Sequence, residues 1–303
     1  MGNPISEIDS FKKEIRRGAV MPILTIAREY GSGGKEIGKN VAGLLNYAYI
    51  DRKQILEDMK KVGADWEELT KYLDENQPTA IERYEWSYRG FVALNQSHIL
   101  HYALHNRVVI MGRGGNFLLK GIPHALRIRT IAPIEKRIEN VMRWQEINNS
   151  EDARFLIEKA DKEMAGAVYL IYGSAWDDPE QYDFVFDTST QTYDEIMDII
   201  KNELEKRDKL CTEKAIDTLK LKALAAKIRA EIAINPDLSV STLEVEFKEE
   251  GLVEYGLVAR GVVHNMDDKK KIEEIVKKLS GDIPVEIGFQ YRMYPRIGDI
   301  QYK

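Results

Sequence analysis

The chain has 303 residues, 44% of them hydrophobic and 31% charged, with a formal net charge of −6. Such a mixture belongs to a globular protein with room for two domains, and the negative balance argues against a nucleic-acid backbone as partner. No apolar run approaches the roughly 18 residues that a membrane-spanning helix needs, and no Cys/His cluster has metal-ligand spacing.

Taken in order, residues 1–20 predict a short amphipathic helix with Ile5, Ile8, Phe11 and Ile15 on one face, packing on the body of the protein or on another subunit. The charge of Met1 to Ala19 and the single cysteine, Cys211, predict a cytoplasmic protein without an internal disulfide. Ile23 to Ala27 reads as a buried strand. Gly31, Ser32, Gly33 and Gly34 follow, and then Ile37, Val41, Leu44 and Leu45 recur at helical spacing. Strand, glycine loop and helix form the setting of a phosphate-binding loop, with backbone N–H groups turned around an anion and Lys35 as the added positive charge. The match to G-x-x-x-x-G-K-[ST] has two registers. One aligns Gly34-Lys35 with the G-K pair and leaves Glu29 and Glu36 at the first-glycine and hydroxyl positions. The other puts Gly34 where the lysine belongs. A plain tight turn needs the same glycines for φ > 0.

Tyr47 to Ile50 is the next strand, ending at Asp51-Arg52, where ligands meet open α/β sheets. An N-cap is the equal alternative for Asp51. Residues 54–106 read as helical. Glu82 to Phe91 is dense in aromatics and arginine, suited to base stacking or to a partly buried helix face. His98, His101 and His105 share one side of a helix, as metal ligands or as surface and interface histidines. Arg107 to Met111 is a third strand, and Arg113 at its glycine-flanked exit predicts a side chain in a cleft. Leu126 to Ile131 is strand four. A helix over 134–148 carries Arg137 and Arg143, and one from Ser150 to about Tyr172 carries Asp161 and Lys162. Tyr182 to Thr188 is strand five, closed by a helix over 192–207. This alternation predicts a doubly wound five-stranded parallel sheet.

Residues 206–220 read as a charged helical connector, with no glycine or proline. Beyond it come an amphipathic helix (221–234), two alternating strands (243–247 and 252–263) about a turn at 249–251, a helix (267–279) and a last strand (285–291), an αββαβ order. Leu224, Ile228, Val245, Phe247, Val258, Val262, Ile272, Ile275 and Val285 are its expected shared core, and the unit is expected to be separable from the first.

The segments Ile26 to Gly38, Ile50-Asp-Arg52, Ile110 to Gly115, Ala132 to Arg137, Asp161-Lys162 and Tyr182 to Ser189, in this order, resemble the cytidylate kinase-like family of P-loop nucleoside monophosphate kinases over residues 21–205. The resemblance implies ATP-dependent phosphoryl transfer assisted by Mg²⁺, to cytidylate or a related small acceptor. Lys35 would meet the donor phosphates and Asp51, Arg52 and Arg113 the acceptor. Arg137 and Arg143, with Asp161 and Lys162, would belong to a mobile lid. The chain departs from the family at Met164, where the family has arginine, and near Ala167-Val168, where it has an aromatic pair. A catalytically silent nucleotide-binding regulatory or assembly protein is therefore the second reading. Residues 221–303, from Ala223 to Arg229 through Gly261-Val-Val263, resemble a BON domain, which implies a phospholipid or other small ligand, or an assembly role in a homo-oligomer.

Overall fold

A computed structural model describes residues 22–63, 66, 68, 69, 85–105, 107–248 and 256–293. The helix expected over 1–20, most of segment 64–84 and the turn at 249–251 lie outside the described residues. The first unit runs β1 (Ile23–Arg28), α1 (Gly34–Leu45), β2 (Ala48–Ile50), α2 (Arg52–Lys60), α3 (Trp86–Leu104), β3 (Val108–Met111), a one-turn α4 (Gly115–Leu118), β4 (Ala125–Ile131), α5 (Ile134–Gln145), α6 (Ser150–Tyr172), β5 (Phe184–Asp187) and α7 (Tyr193–Asp208). The five strands are all parallel, in the order β2-β3-β1-β4-β5.

Parallel strands covered on both faces read as continuous apolar runs, and β1 shows why. Leu24 and Ile26 face a core built with Ile37 and Val41 of α1 and Ile196 and Ile200 of α7. Ile23 points the other way, into a core with Ile55, Met59, Phe91 and Leu94 from α2 and α3. Helices α5 and α6 keep a small core of their own, Ile138, Val141, Ala153 and Ile157. They stand out from the sheet as a pair.

The second unit comprises α8 (Glu213–Ala233), β6 (Val240–Lys248), β7 (Gly256–Val263), α9 (Met266–Ser280) and β8 (Val285–Tyr291). Its sheet is ordered β6-β7-β8, antiparallel then parallel, so the αββαβ order is present. Two expectations need correction. On β7 the core face is Leu257, Ala259 and Val263, not Val258 and Val262. Side chains alternate along a strand, so a parity chosen one residue off moves the whole set to the other face.

Nor is α8 amphipathic. Its buried residues go all round the helix, the mark of an element enclosed on two sides. Leu219, Ala223 and Ala230 belong to the core of the first unit and pack beside α3. Leu221, Ala225, Ile228 and Ile232 belong to the core of the second. Polar ties repeat the connection: Arg229 Nη1 donates to Gln96 Oε1 at 3.0 Å, Lys222 Nζ to the Lys120 carbonyl at 2.6 Å, and Arg89 Nη1 to the Val240 carbonyl at 3.1 Å. The helix belongs to both cores, so a chain ending at residue 206 would lack Leu219, Ala223 and Ala230 of the first core.

Leu219→Ala and Ile228→Ala should each lower stability by about 2–5 kcal/mol, and both should shift one common calorimetric transition. Two transitions, each moved by one substitution alone, would show independent folding. His124, fully buried with neither ring nitrogen hydrogen-bonded, has its pKa pushed down by burial from 6.5 to about 4. The unfolded chain therefore takes up the proton first. Stability is intact above about pH 6.5 and declines as pH falls from there towards 4. His124→Leu should flatten that part of the pH–melting profile.

Candidate functional site

The glycine loop lies at the carboxyl end of β1, the central strand, between the exits of β3 and β4. The order in which strands are added to the sheet reverses there, and open α/β sheets leave a crevice at such a point. Gly33 is the N-cap of α1 at φ 83, a left-handed conformation that side chains disfavour. A Cβ on it would also strike the Tyr193 hydroxyl. The loop is held from beneath by hydroxyls. Buried Ser32 shares a 2.9 Å hydrogen bond with Thr130, Oγ to Oγ1, and donates to the Glu29 carbonyl at 2.9 Å, while Thr188 Oγ1 donates to the Ser32 carbonyl at 2.9 Å. With the loop fixed in this way, the first N–H groups of α1, at Gly34 and Lys35, point out of the helix unpaired, as at any helix start. They form a ready anion seat.

Helix α5 closes on the loop from the side. Asn140 Nδ2 donates to the Gly31 carbonyl at 2.8 Å, and a Cβ on Gly31 would lie 3.0 Å from the Arg137 carbonyl oxygen. An ion cluster fixes this approach. The Glu29 carboxylate meets Arg129 at 3.2 Å and Arg137 Nε at 3.6 Å, and accepts from the Ala132 N–H at 3.2 Å. Asp161 of α6 accepts from the Tyr30 N–H at 3.1 Å and pairs with Arg137. Arg129, itself buried, donates to the Trp176 carbonyl at 2.6 Å and lies over that indole ring.

The expected site residues fall into three groups. Gly31, Ser32, Gly33 and Gly34 form the loop, with Lys35 exposed beside it on the first turn of α1. Arg137 and Asp161 meet at the loop, and Arg143 reaches it through Asn140 at 3.1 Å, whereas Lys162 is exposed on α6. Asp51 is the N-cap of α2 and accepts from the Lys53 and Gln54 N–H groups at 3.0 and 3.3 Å. Exposed Arg52 follows it. Arg113 sits at the β3 exit at φ 56, between Gly112 and Gly114, which are also left-handed. Such a turn stores strain in a non-glycine residue. It is held by donors to the Arg113 carbonyl, Tyr172 Oη at 3.3 Å and Asn95 Nδ2 at 3.5 Å. Burial pushes the Tyr172 phenol up to about 12, against the lowering effect of a hydrogen bond from Gln96 and the charges of Arg229 and Arg113. A polar line thus runs from α8 through α3 to the turn.

The remaining candidates have other work. From residue 85 on, the aromatic and charged segment is a packing face, with Trp86 against Trp66 and Arg89 on the second sheet. His101 and His105 approach at 3.1 Å, and the described residues contain no group of three metal-ligating side chains.

Sequence reasoning passed over Arg28, the last residue of β1. Burial lowers its pKa, against the nearby Tyr49, Asp51, Glu36 and Tyr30, and the described residues offer it neither a hydrogen bond nor an ion pair. Glu29 was passed over as well. The signal for both was the misfit at the loop, where two charged residues stand in the stretch that would carry the first glycine.

The description "Cytidylate kinase-like family" matches residues 23–190. A cytidylate kinase of Methanopyrus kandleri is 27% identical over 192 residues, 60% of this chain and 93% of that protein. A uronate isomerase of Corynebacterium glutamicum is 33% identical over 96 residues, 30% of this chain, and the chain spans only 18% of its length. A solved structure of an uncharacterized protein from Eubacterium ventriosum superposes with a TM-score of 0.50 at 19% identity, covering 61% of this chain and 99% of that one. It shows the fold.

Glu29→Gln keeps the acceptor for Ala132 but removes the charge facing two arginines. It should cost about 1–3 kcal/mol and speed amide exchange through Ile134–Gln145. Unchanged exchange in that helix would show that the cluster does not hold α5.

Proposed function

This chain belongs to the cytidylate kinase-like family, and we propose from that premise that it transfers a phosphoryl group from ATP to a nucleoside monophosphate, with cytidylate the first acceptor to test. The observation that carries the proposal is the glycine loop, clamped from beneath by Ser32, Thr130 and Thr188, at the start of α1, with Arg28 and Arg137 packed against its glycines. Phosphoryl transfer asks a protein mainly for positioning and charge stabilisation, which is what fixed amides and guanidinium groups supply.

In this proposal the donor phosphates lie on the Gly31–Lys35 loop and the acceptor between Asp51-Arg52 and the Arg113 turn. Arg137 and Arg143, on the α5–α6 pair, approach the transferred group from the lid side. Arg137 would exchange Asp161 for phosphate oxygens as the nucleotide arrives. Mg²⁺, when bound, would neutralise phosphate charge. It is usually held by one or two carboxylates together with the phosphates. Glu36 fits that need, since its Oε2 is buried without a hydrogen-bond partner among the described residues. For residues 221–303, the αββαβ order supports a BON-like ligand-binding or assembly role.

A second reading, nucleotide binding without turnover, draws on two observations. Met164 is exposed where the family has arginine, and Arg137 is engaged by Glu29 and Asp161. Calorimetric titration with ATP·Mg²⁺ followed by assay of ADP release with cytidylate, uridylate and adenylate separates the two. ADP formed in proportion to one acceptor is the expected result. Saturable ATP binding with no acceptor-dependent ADP would favour the silent regulator, and no nucleotide binding would overturn both.

A further inference from the structure

The G-x-x-x-x-G-K-[ST] pattern places a cation immediately after its second glycine. Since β1 ends at Arg28 and α1 begins at Gly34 with Gly33 as its cap, the pattern over residues 28–35 has Arg28 at its first glycine, Gly33 at its second and Gly34 in the lysine place. Gly34 cannot carry a side chain there. A Cβ on it would strike Thr130 Oγ1 and come within 2.9 Å of Arg28 Cβ and 3.4 Å of Arg28 Cδ. The stem of Arg28 therefore passes through the space that a side chain at position 34 would use. Its Nη1 lies 3.2 Å from where a Cβ on Gly112 would be, so the guanidinium spans from the glycine loop to the β3 exit.

We propose that Arg28 supplies the phosphate-loop cation that position 34 has lost, and that it binds the terminal donor phosphates where the loop meets the acceptor side of the crevice. The proposal rests on the kinase reading of the site and adds to it the residue that holds the transferred group. Three observations support it. The guanidinium is half-buried, burial lowers its pKa, and it has no hydrogen bond or ion pair among the described residues. Its charged neighbours, Glu36 and Asp51, influence it from beyond ion-pair distance. The other local arginines, Arg129 and Arg137, are taken by Glu29, and Lys35 is exposed to solvent. A guanidinium differs from a lysine in offering a planar fork that matches two phosphate oxygens at once. An anion with several oxygens is therefore the ligand it suits.

The test titrates the full chain with ATP, AMP and inorganic tripolyphosphate, for the wild type and for Arg28→Met, Arg28→Lys and Lys35→Ala. Arg28→Met keeps the stem and removes the charge. It should weaken ATP and tripolyphosphate about 10- to 100-fold while changing AMP little, and Arg28→Lys should recover part of the loss. Lys35→Ala should produce the smaller loss. Arg28→Met that binds ATP like the wild type overturns the proposal and leaves the kinase reading standing, as does a loss confined to AMP. A wild type that binds neither ATP nor tripolyphosphate overturns both. Should Arg28→Met fail to fold, a structure of the wild type with a non-hydrolysable ATP analogue decides: an Arg28 nitrogen within hydrogen-bond distance of a β- or γ-phosphate oxygen supports the proposal, and Lys35 there alone overturns it.

Discussion

Close approach of side chains to a backbone without Cβ atoms is the constraint on which this site depends. Arg137 and Val141 press on Gly31, Tyr193 on Gly33, and Thr130 with Arg28 on Gly34. Each contact comes from a different element: α5, α7, β4 and β1. A methyl group at any of these glycines would displace one of them. Dense packing transmits such displacements, so the loop, α5, α7 and the central strands share one geometry. Anion binding requires that geometry, because N–H groups must be held in place before the ligand arrives.

Charge is arranged around the same loop with unequal outcomes. Arg129 has the Trp176 carbonyl, the indole face and Glu29, and Arg137 has Glu29 and Asp161. Arg28 has none of these. Arg129 and Arg137, with protein partners, hold structure together; among the described residues Arg28 has no such partner. In the first unit, then, Glu29 separates arginines that fasten α5 to the loop from the arginine that remains available.

Much of the first unit was legible because both of its periodicities are strong. Apolar runs such as Ile23 to Ala27 can only be strands buried on two faces, and Ile37 and Val41 at helical spacing mark their partner helix. The Gly112-Arg113-Gly114 turn was legible for a local reason as well, since two glycines flank a charge at a strand end. The β7 face was not, because Val258, Ala259 and Val262 in an apolar strand leave its parity undefined until Phe289 and α8 choose a side. The double burial of α8 escaped for a similar reason: its alanines have no strong preference, and small residues reveal a close helix contact only when the neighbour is seen. Arg28 was hidden by the motif itself. A pattern that seeks the cation after the glycines directs the eye to Lys35, although space, not order, decides which side chain reaches the anion.

The shared helix α8 has a consequence for the protein's synthesis. All five strands of the first sheet and α7 are complete by residue 208, but the core around α3 still lacks Leu219, Ala223 and Ala230. Domains usually fold as units, N-terminal first, during synthesis. The apolar seam on this first unit stays open until the chain has grown through residue 233.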